Sequence, residues 1–228
     1  LKTLRPLYIA LDFPGKKEAL EFLEAHNLEK VPVKVGMQLF YKEGPAIVRE
    51  LRKRGHPVFL DVKVHDIPAT AEGAVKSLVS LDVEVLTVHA QGGKEMMKRA
   101  GRAAGDTVIL AVTQLTSVTE EMLNRELGIP SSLKENVMNL ALQAQESGMD
   151  GVVCSVHEAK MINTRVKREF FTLTPGIRLE TESKHDQKRA ATPEEAKREG
   201  ATAIVVGRAV TEADNPKEIY EAIRREIG

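Results

Sequence analysis

Short apolar runs alternate with amphipathic stretches along almost the whole chain. Residues 7–11, Leu-Tyr-Ile-Ala-Leu, form an unbroken apolar run that stops at Asp12, and Pro14-Gly15 makes a turn behind it. The next stretch, 16–26, places Ala19, Leu20 and Leu23 on one helical face. The same rhythm then repeats. Further strands are expected at 31–35, 58–64, 83–88, 108–112, 151–154, 170–173 and 203–206. Helices are expected at 45–54, 68–81, 93–104, 133–147, 157–163, 192–200 and 216–227, with a short one inside 116–130. Gly55, Gly148 and Gly200 stand where helices stop. Thr192-Pro193-Glu194-Glu195 is a helix-start signature, with threonine as the cap, proline at the first position and glutamate three residues after the cap. Residues 177–191 are polar and read as a loop.

About eight strand–helix units in unbroken alternation predict a parallel α/β sheet covered on both faces. A single-domain (β/α)8 TIM barrel over residues 1–228 fits both the count and the length. A doubly wound open sheet fits less well, because no G-x-G-x-x-G follows the first strand. Composition narrows the function classes. Lys+Arg and Asp+Glu are equal at 33 each, which argues against bulk binding to nucleic acid or an anionic membrane. The single cysteine, Cys154, excludes an intrachain disulfide and points to a reduced, cytoplasmic setting. No apolar stretch approaches the ~20 residues of a membrane span, and 7–11 is too short for the apolar core of a secretion signal.

The charges at the strand ends carry the candidate chemistry. In a barrel, reactive groups gather at the C-terminal ends of the strands. Here those ends offer Asp12, Lys34, Asp61 with Lys63, His89, Thr113 with Gln114, Ser155, Thr174 and Arg208. Strand alternation points Asp61 and Lys63 to one side and Leu60, Val62 and Val64 to the other. Asp66 follows in the turn, and Pro68 opens the next helix. An isolated D-x-K-x-x-D is most simply a strand-end ion pair. Lys34, set between Val33 and Val35, needs carboxylate partners if it is covered, and Asp61 and Asp66 are candidates. Late in the chain, Pro175-Gly176-Ile177-Arg178 and Gly207-Arg208 follow the last two strands, the usual phosphate position in barrels. Gly207 lets backbone approach an anion, and Arg208 can grip it through two hydrogen bonds. The histidines show no metal-binding spacing, and Cys154 reads as a buried structural thiol.

These segments together resemble the orotidine 5'-phosphate decarboxylase family, in its short bacterial form. The resemblance lies in Ala10-Leu11-Asp12, Val33-Lys34-Val35-Gly36, Asp61-Val62-Lys63-Val64-His65-Asp66-Ile67-Pro68, Val112-Thr113-Gln114-Leu115-Thr116, Thr174-Pro175-Gly176-Ile177-Arg178, His185-Asp186-Gln187 and Val206-Gly207-Arg208. They occur in the family's order and span nearly the whole chain. D-x-K-x-x-D alone is shared with related sugar-phosphate enzymes; its combination with the glutamine-containing loop and the final Gly-Arg is specific. Ala69 departs from the pattern, standing where the family has asparagine, and Val62 and Val64 replace the commoner leucines.

The resemblance implies decarboxylation of orotidine 5'-monophosphate to uridine 5'-monophosphate in pyrimidine biosynthesis, with no cofactor and no metal. It implies Lys63 as proton donor, held charged by Asp61 and Asp66, with Lys34 completing the charge network. It also implies Asp12, Lys34 and Thr70 at the ribose, Thr116 at the pyrimidine, and Arg178, Gln187, Gly207 and Arg208 around the phosphate. A homodimer with shared active sites follows from it, in which Asp66 and Thr70 serve the partner subunit. Two rival readings remain at this stage: a magnesium-dependent sugar-phosphate decarboxylase or synthase, and a catalytically silent nucleotide-sensing barrel.

Overall fold

The computed structural model describes residues 2–166, 169–178 and 191–228. Among these, eight strands close a parallel barrel in chain order: β1 (Leu7–Ala10), β2 (Val33–Gly36), β3 (Val58–Val64), β4 (Val85–His89), β5 (Val108–Val112), β6 (Gly151–Val153), β7 (Phe171–Thr174) and β8 (Ala203–Val206). The helices between them are α1 (Lys16–Ala25), α2 (Met37–Glu43), α3 (Pro45–Lys53), α4 (Pro68–Val79), α5 (Gly93–Ala103), α6 (Glu120–Arg125), α7 (Leu133–Glu146), α8 (Val156–Asn163), α9 (Pro193–Arg198), α10 (Arg208–Thr211) and α11 (Pro216–Ile227). None is long and apolar enough to cross a membrane.

The period-two alternation of the strands separates two cores. Tyr8, Ala10, Phe59, Val85, Val108, Leu110, Leu173, Ala203 and Val205 fill the barrel interior. Their neighbours in sequence, such as Ile9, Leu60, Leu86, Ile109 and Ile204, face the helices in the outer core. Both sides of each strand are apolar because helices cover the outside, the pattern of a buried parallel sheet. Burial of each large aliphatic side chain contributes about 1.5–3 kcal/mol. Tyr8 meets Phe59 edge-on at 5.6 Å and closes the middle of the barrel below the strand ends. The same parity that turns Phe59 inward turns Asp61 inward, and Val85 fixes the same side for Thr87.

The helix starts follow from capping chemistry. Thr192 Oγ1 accepts the Glu195 backbone N–H at 3.1 Å, and the Glu195 carboxylate accepts the Thr192 N–H at 2.9 Å. Ser132 and Glu135 form the same reciprocal pair at the start of α7. The short helix expected inside 116–130 is α6. Helix α2 had no counterpart in the sequence pattern: Met37 and Tyr41 are exposed, and it packs on the core only through buried Leu39 and half-buried Phe40. Most of the loop expected over 177–191 lies outside the described residues.

Candidate active site

The strand ends open onto a cavity of about 400 Å³. Its ionic wall comes from the first three strands. Lys34 Nζ lies 3.3 Å from Asp12 Oδ1 and 3.7 Å from Asp61 Oδ2, and Lys63 Nζ lies 2.8 Å from Asp61 Oδ1. The charges therefore alternate, Asp12–Lys34–Asp61–Lys63, so each lysine has a carboxylate partner and Asp61 is shared by two ammonium groups. Burial pushes the Asp61 carboxyl up, but the Lys34 and Lys63 charges and the hydrogen bonds from Lys63 and Thr87 outweigh it and hold the group below its ordinary value. Gly36 makes room for this arrangement. A Cβ there would lie 3.1 Å from Lys34 Nζ and 3.3 Å from Asp12 Oδ1, in the space the pair occupies.

The backbone bends to deliver Lys63. Leu60 pairs with Leu86 and Val64 with Val88, so Asp61, Val62 and Lys63 together face the single β4 residue Thr87. Lys63 takes up the excess in the left-handed region, at φ 52°, a conformation that costs a non-glycine residue roughly 1–2 kcal/mol. Thr87, fully buried, compensates: its Oγ1 accepts the Lys63 backbone N–H at 3.0 Å and donates to Asp61 Oδ1 at 3.0 Å. Sequence reasoning missed Thr87. The available signal was a lone hydroxyl in the apolar run Val85-Leu86-Thr87-Val88, but threonine is itself a good strand former and so drew no notice.

Arg178, Gly207, Arg208 and Thr116 also line the cavity. The Arg178 backbone N–H donates to Ala191 O at 3.0 Å, and the Ala191 N–H to Gly176 O at 3.3 Å, which ties the loop after β7 to the start of α9. Gln114, buried at the end of β5, donates from Nε2 to Asn136 Oδ1 of α7 at 2.9 Å. Asn136 is a further residue that the sequence did not single out. Cys154 is buried in the cavity wall.

Asp66 and Thr70 do not join this group. Both are exposed, and neither lines the cavity of its own chain. Asp66 Oδ1 accepts the Ile67 N–H at 2.7 Å, and Ile67 beside it is 68% exposed. Ala69 is exposed on the same turn of α4. Gln187 lies outside the described residues. The His65 ring stacks on His89 at 5.4 Å. His89 Nδ1 accepts the Gln91 N–H at 3.3 Å, and burial, then His65 and Lys63, lower its pKa to about 4. His89 is therefore neutral at neutral pH and adds no charge beside Lys63. Among the described residues, no three His, Cys, Asp or Glu side chains converge in a metal-binding group.

Comparison with known proteins fits this geometry. A family model described as orotidine 5'-phosphate decarboxylase / HUMPS family matches residues 5–223. The chain belongs to that family. An orotidine 5'-phosphate decarboxylase from Fusobacterium nucleatum is 50% identical over 224 residues, covering 96% of this chain and 94% of that protein. Another, from Bacillus cytotoxicus, is 48% identical over 230 residues, covering 97% of each. The crystal structure of orotidine 5'-phosphate decarboxylase from Lactobacillus acidophilus matches with a TM-score of 0.87 at 38% identity, over 99% of this chain and 100% of that one. An uncharacterized conserved protein from Geobacillus kaustophilus matches with the same TM-score at 41% identity, over 98% and 100%. Within the orotidine 5'-phosphate decarboxylase family, relatives this similar make the chain an enzyme of the carbon–carbon lyase class.

Proposed function

We propose that this chain decarboxylates orotidine 5'-monophosphate to uridine 5'-monophosphate in pyrimidine biosynthesis, using only its own side chains. The observation that carries the mechanism is the alternating Asp12–Lys34–Asp61–Lys63 row on a cavity that also holds Arg178 and Arg208. The bond from the pyrimidine ring to its carboxylate breaks, CO2 leaves, and the electron pair stays on the ring carbon. An electron pair left on that carbon calls for a fixed cation beside it. Lys63 supplies it, transfers a proton to the carbon and regains one from solvent. Asp61 holds Lys63 in place at 2.8 Å, and Lys34 and Lys63 together keep Asp61 ionised. Asp12 and Lys34 bind ribose hydroxyls, Thr116 contacts the pyrimidine, and Arg178, Gln187, Gly207 and Arg208 hold the phosphate. Binding energy from that remote anion lowers the barrier at the ring carbon.

The working unit is a two-fold dimer in which Asp66 and Thr70 complete the cavity of the partner subunit. Their exposure, outside their own cavity and beside the uncovered Ile67, supports this reading. Two experiments test the proposal. Lys63→Ala should abolish loss of substrate absorbance while the circular dichroism spectrum stays unchanged, and borohydride with substrate should trap no adduct; near-normal turnover would remove Lys63 from the chemistry. For the shared site, inactive Lys63→Ala and Asp66→Ala chains are refolded together. About half the dimers are then mixed, each with one intact site, so activity should rise towards about a quarter of wild type. No recovery in proven mixed dimers would return Asp66 to its own chain's cavity.

A further inference from the structure

The hydroxyl of Thr87 has a directional constraint that its neighbours impose. The Lys63 backbone N–H can only donate, so Thr87 Oγ1 must accept from it at 3.0 Å. The Asp61 carboxylate can only accept, so the Thr87 hydrogen goes to Asp61 Oδ1 at 3.0 Å. That same oxygen receives Lys63 Nζ at 2.8 Å. The backbone and the ammonium of Lys63 are thus both tied to one hydroxyl–carboxylate unit, and the ring of contacts closes. The ladder leaves a gap here, because three β3 residues face one β4 residue, and the Thr87 side chain fills it with the hydrogen bond a strand backbone would have supplied. Thr87 is fully buried and does not line the cavity, so it reaches no substrate.

We infer that Thr87 is a positioning residue for the reaction: its hydroxyl holds Lys63 in the left-handed bend and sets the Asp61 carboxylate against the Lys63 ammonium. This rests on the reading of Lys63 and Asp61 as the reacting pair. Serine can make both hydrogen bonds, and valine, of the same shape as threonine, can make neither. The test compares Thr87→Val, Thr87→Ser and Lys63→Ala, measuring kcat, KM, thermal midpoint and the affinity for uridine 5'-monophosphate. Thr87→Val should lower kcat by roughly 10- to 100-fold, the loss of one hydrogen bond to a charged group. KM and product affinity should change little, because the phosphate and ribose contacts are untouched. Thr87→Ser should restore kcat to within about threefold of wild type. A merely structural role would move the thermal midpoint and leave kcat of the folded fraction alone. If Thr87→Val does not fold, Thr87→Cys, whose thiol is a weak hydrogen-bonding group, should show the same kcat loss. Unchanged kcat in the folded hydroxyl-free variant, or a Thr87→Ser as impaired as Thr87→Val, would overturn the inference. Were Lys63→Ala active, the assignment of Lys63 would fail instead, and the two failures are told apart within one set of assays.

Discussion

Asp61→Asn separates charge from shape in the ionic row. Asparagine keeps an acceptor oxygen for Lys63 Nζ and Thr87 Oγ1, so the geometry survives while the negative charge is lost. At an effective dielectric near 20, the 2.8 Å and 3.7 Å contacts to Lys63 and Lys34 correspond to roughly 6 and 4 kcal/mol of attraction before desolvation is counted. Desolvation cancels most of that, and removing one partner from a buried pair leaves a net loss of about 3–5 kcal/mol. In the variant, Lys34 and Lys63 repel each other with no carboxylate between them, and only Asp12 remains paired with Lys34. Expressed in the rate, the loss is roughly 10²- to 10⁴-fold in kcat. The assay is single-turnover loss of substrate absorbance under saturating conditions, with a thermal melt beside it to confirm folding. A folded Asp61→Asn enzyme with kcat within about threefold of wild type would falsify the claim that the charge on Asp61, rather than its shape, sustains Lys63.

The remaining expectations concern other parts of the molecule. Arg208→Ala should lower kcat/KM by about 1.5–3 kcal/mol and matter far less for the nucleoside without phosphate; an equal loss on both substrates would show that Arg208 does not read the phosphate. Turnover should survive exhaustive chelation, and a loss restored by Mg²⁺ would move the chain to the metal-dependent decarboxylases. His89 is depressed from 6.5 to about 4 by burial, then by His65 and Lys63, so the unfolded chain takes up a proton that the folded one refuses. Stability should therefore be full above pH 6.5 and fall as the pH drops towards 4, with the depressed Asp61 carboxyl adding its loss below that; urea titrations at pH 7 and pH 5 should differ less in His89→Phe, and an unchanged difference would clear His89 of the effect. Gly151→Ala should destabilise the barrel by about 1–3 kcal/mol, because its Cβ would lie 2.7 Å from Phe171 Cβ and 2.9 Å from the Phe171 carbonyl carbon; an unchanged melt would mean that β6 and β7 part easily.

The alternation of apolar runs with amphipathic stretches gave the strand order, because a strand covered on both faces must be apolar throughout, and runs such as Val108-Ile109-Leu110-Ala111-Val112 have few other uses. The charged candidates were legible for the same reason: Lys34 and Asp61 interrupt runs in which a charge needs a partner. Strand alternation put Asp61 and Lys63 on one side, and both do line the cavity, but Lys63 arrives there through a left-handed bend at a register shift. Alternation contains no information about such a bend, which depends on β4. Thr87 and Asn136 escaped notice because their meaning lies in which side chain faces them across the fold. Helix α2 escaped because it has only seven residues and packs on the core through Leu39 and Phe40 alone, too short a run to show a helical period.

The order of the site residues along the chain divides the labour of the barrel. Asp12, Lys34, Asp61, Lys63 and Thr87 all belong to β1–β4 or their ends, while Thr116, Arg178, Gly207 and Arg208 follow β5–β8. Between the two sets lies an exposed turn at Gly105 and Asp106, where the backbone of Gly105 is left-handed. A chain cut there falls into two four-strand halves, one carrying the ionic row and the other the two cavity arginines. Each half exposes two unpaired sheet edges, at β1 and β4 or at β5 and β8, that in the intact barrel bond only to the other half. Fused to two proteins that bind one another, such halves are expected to report that binding: either fragment lacks one set of cavity groups entirely, so turnover should return only when the seam closes.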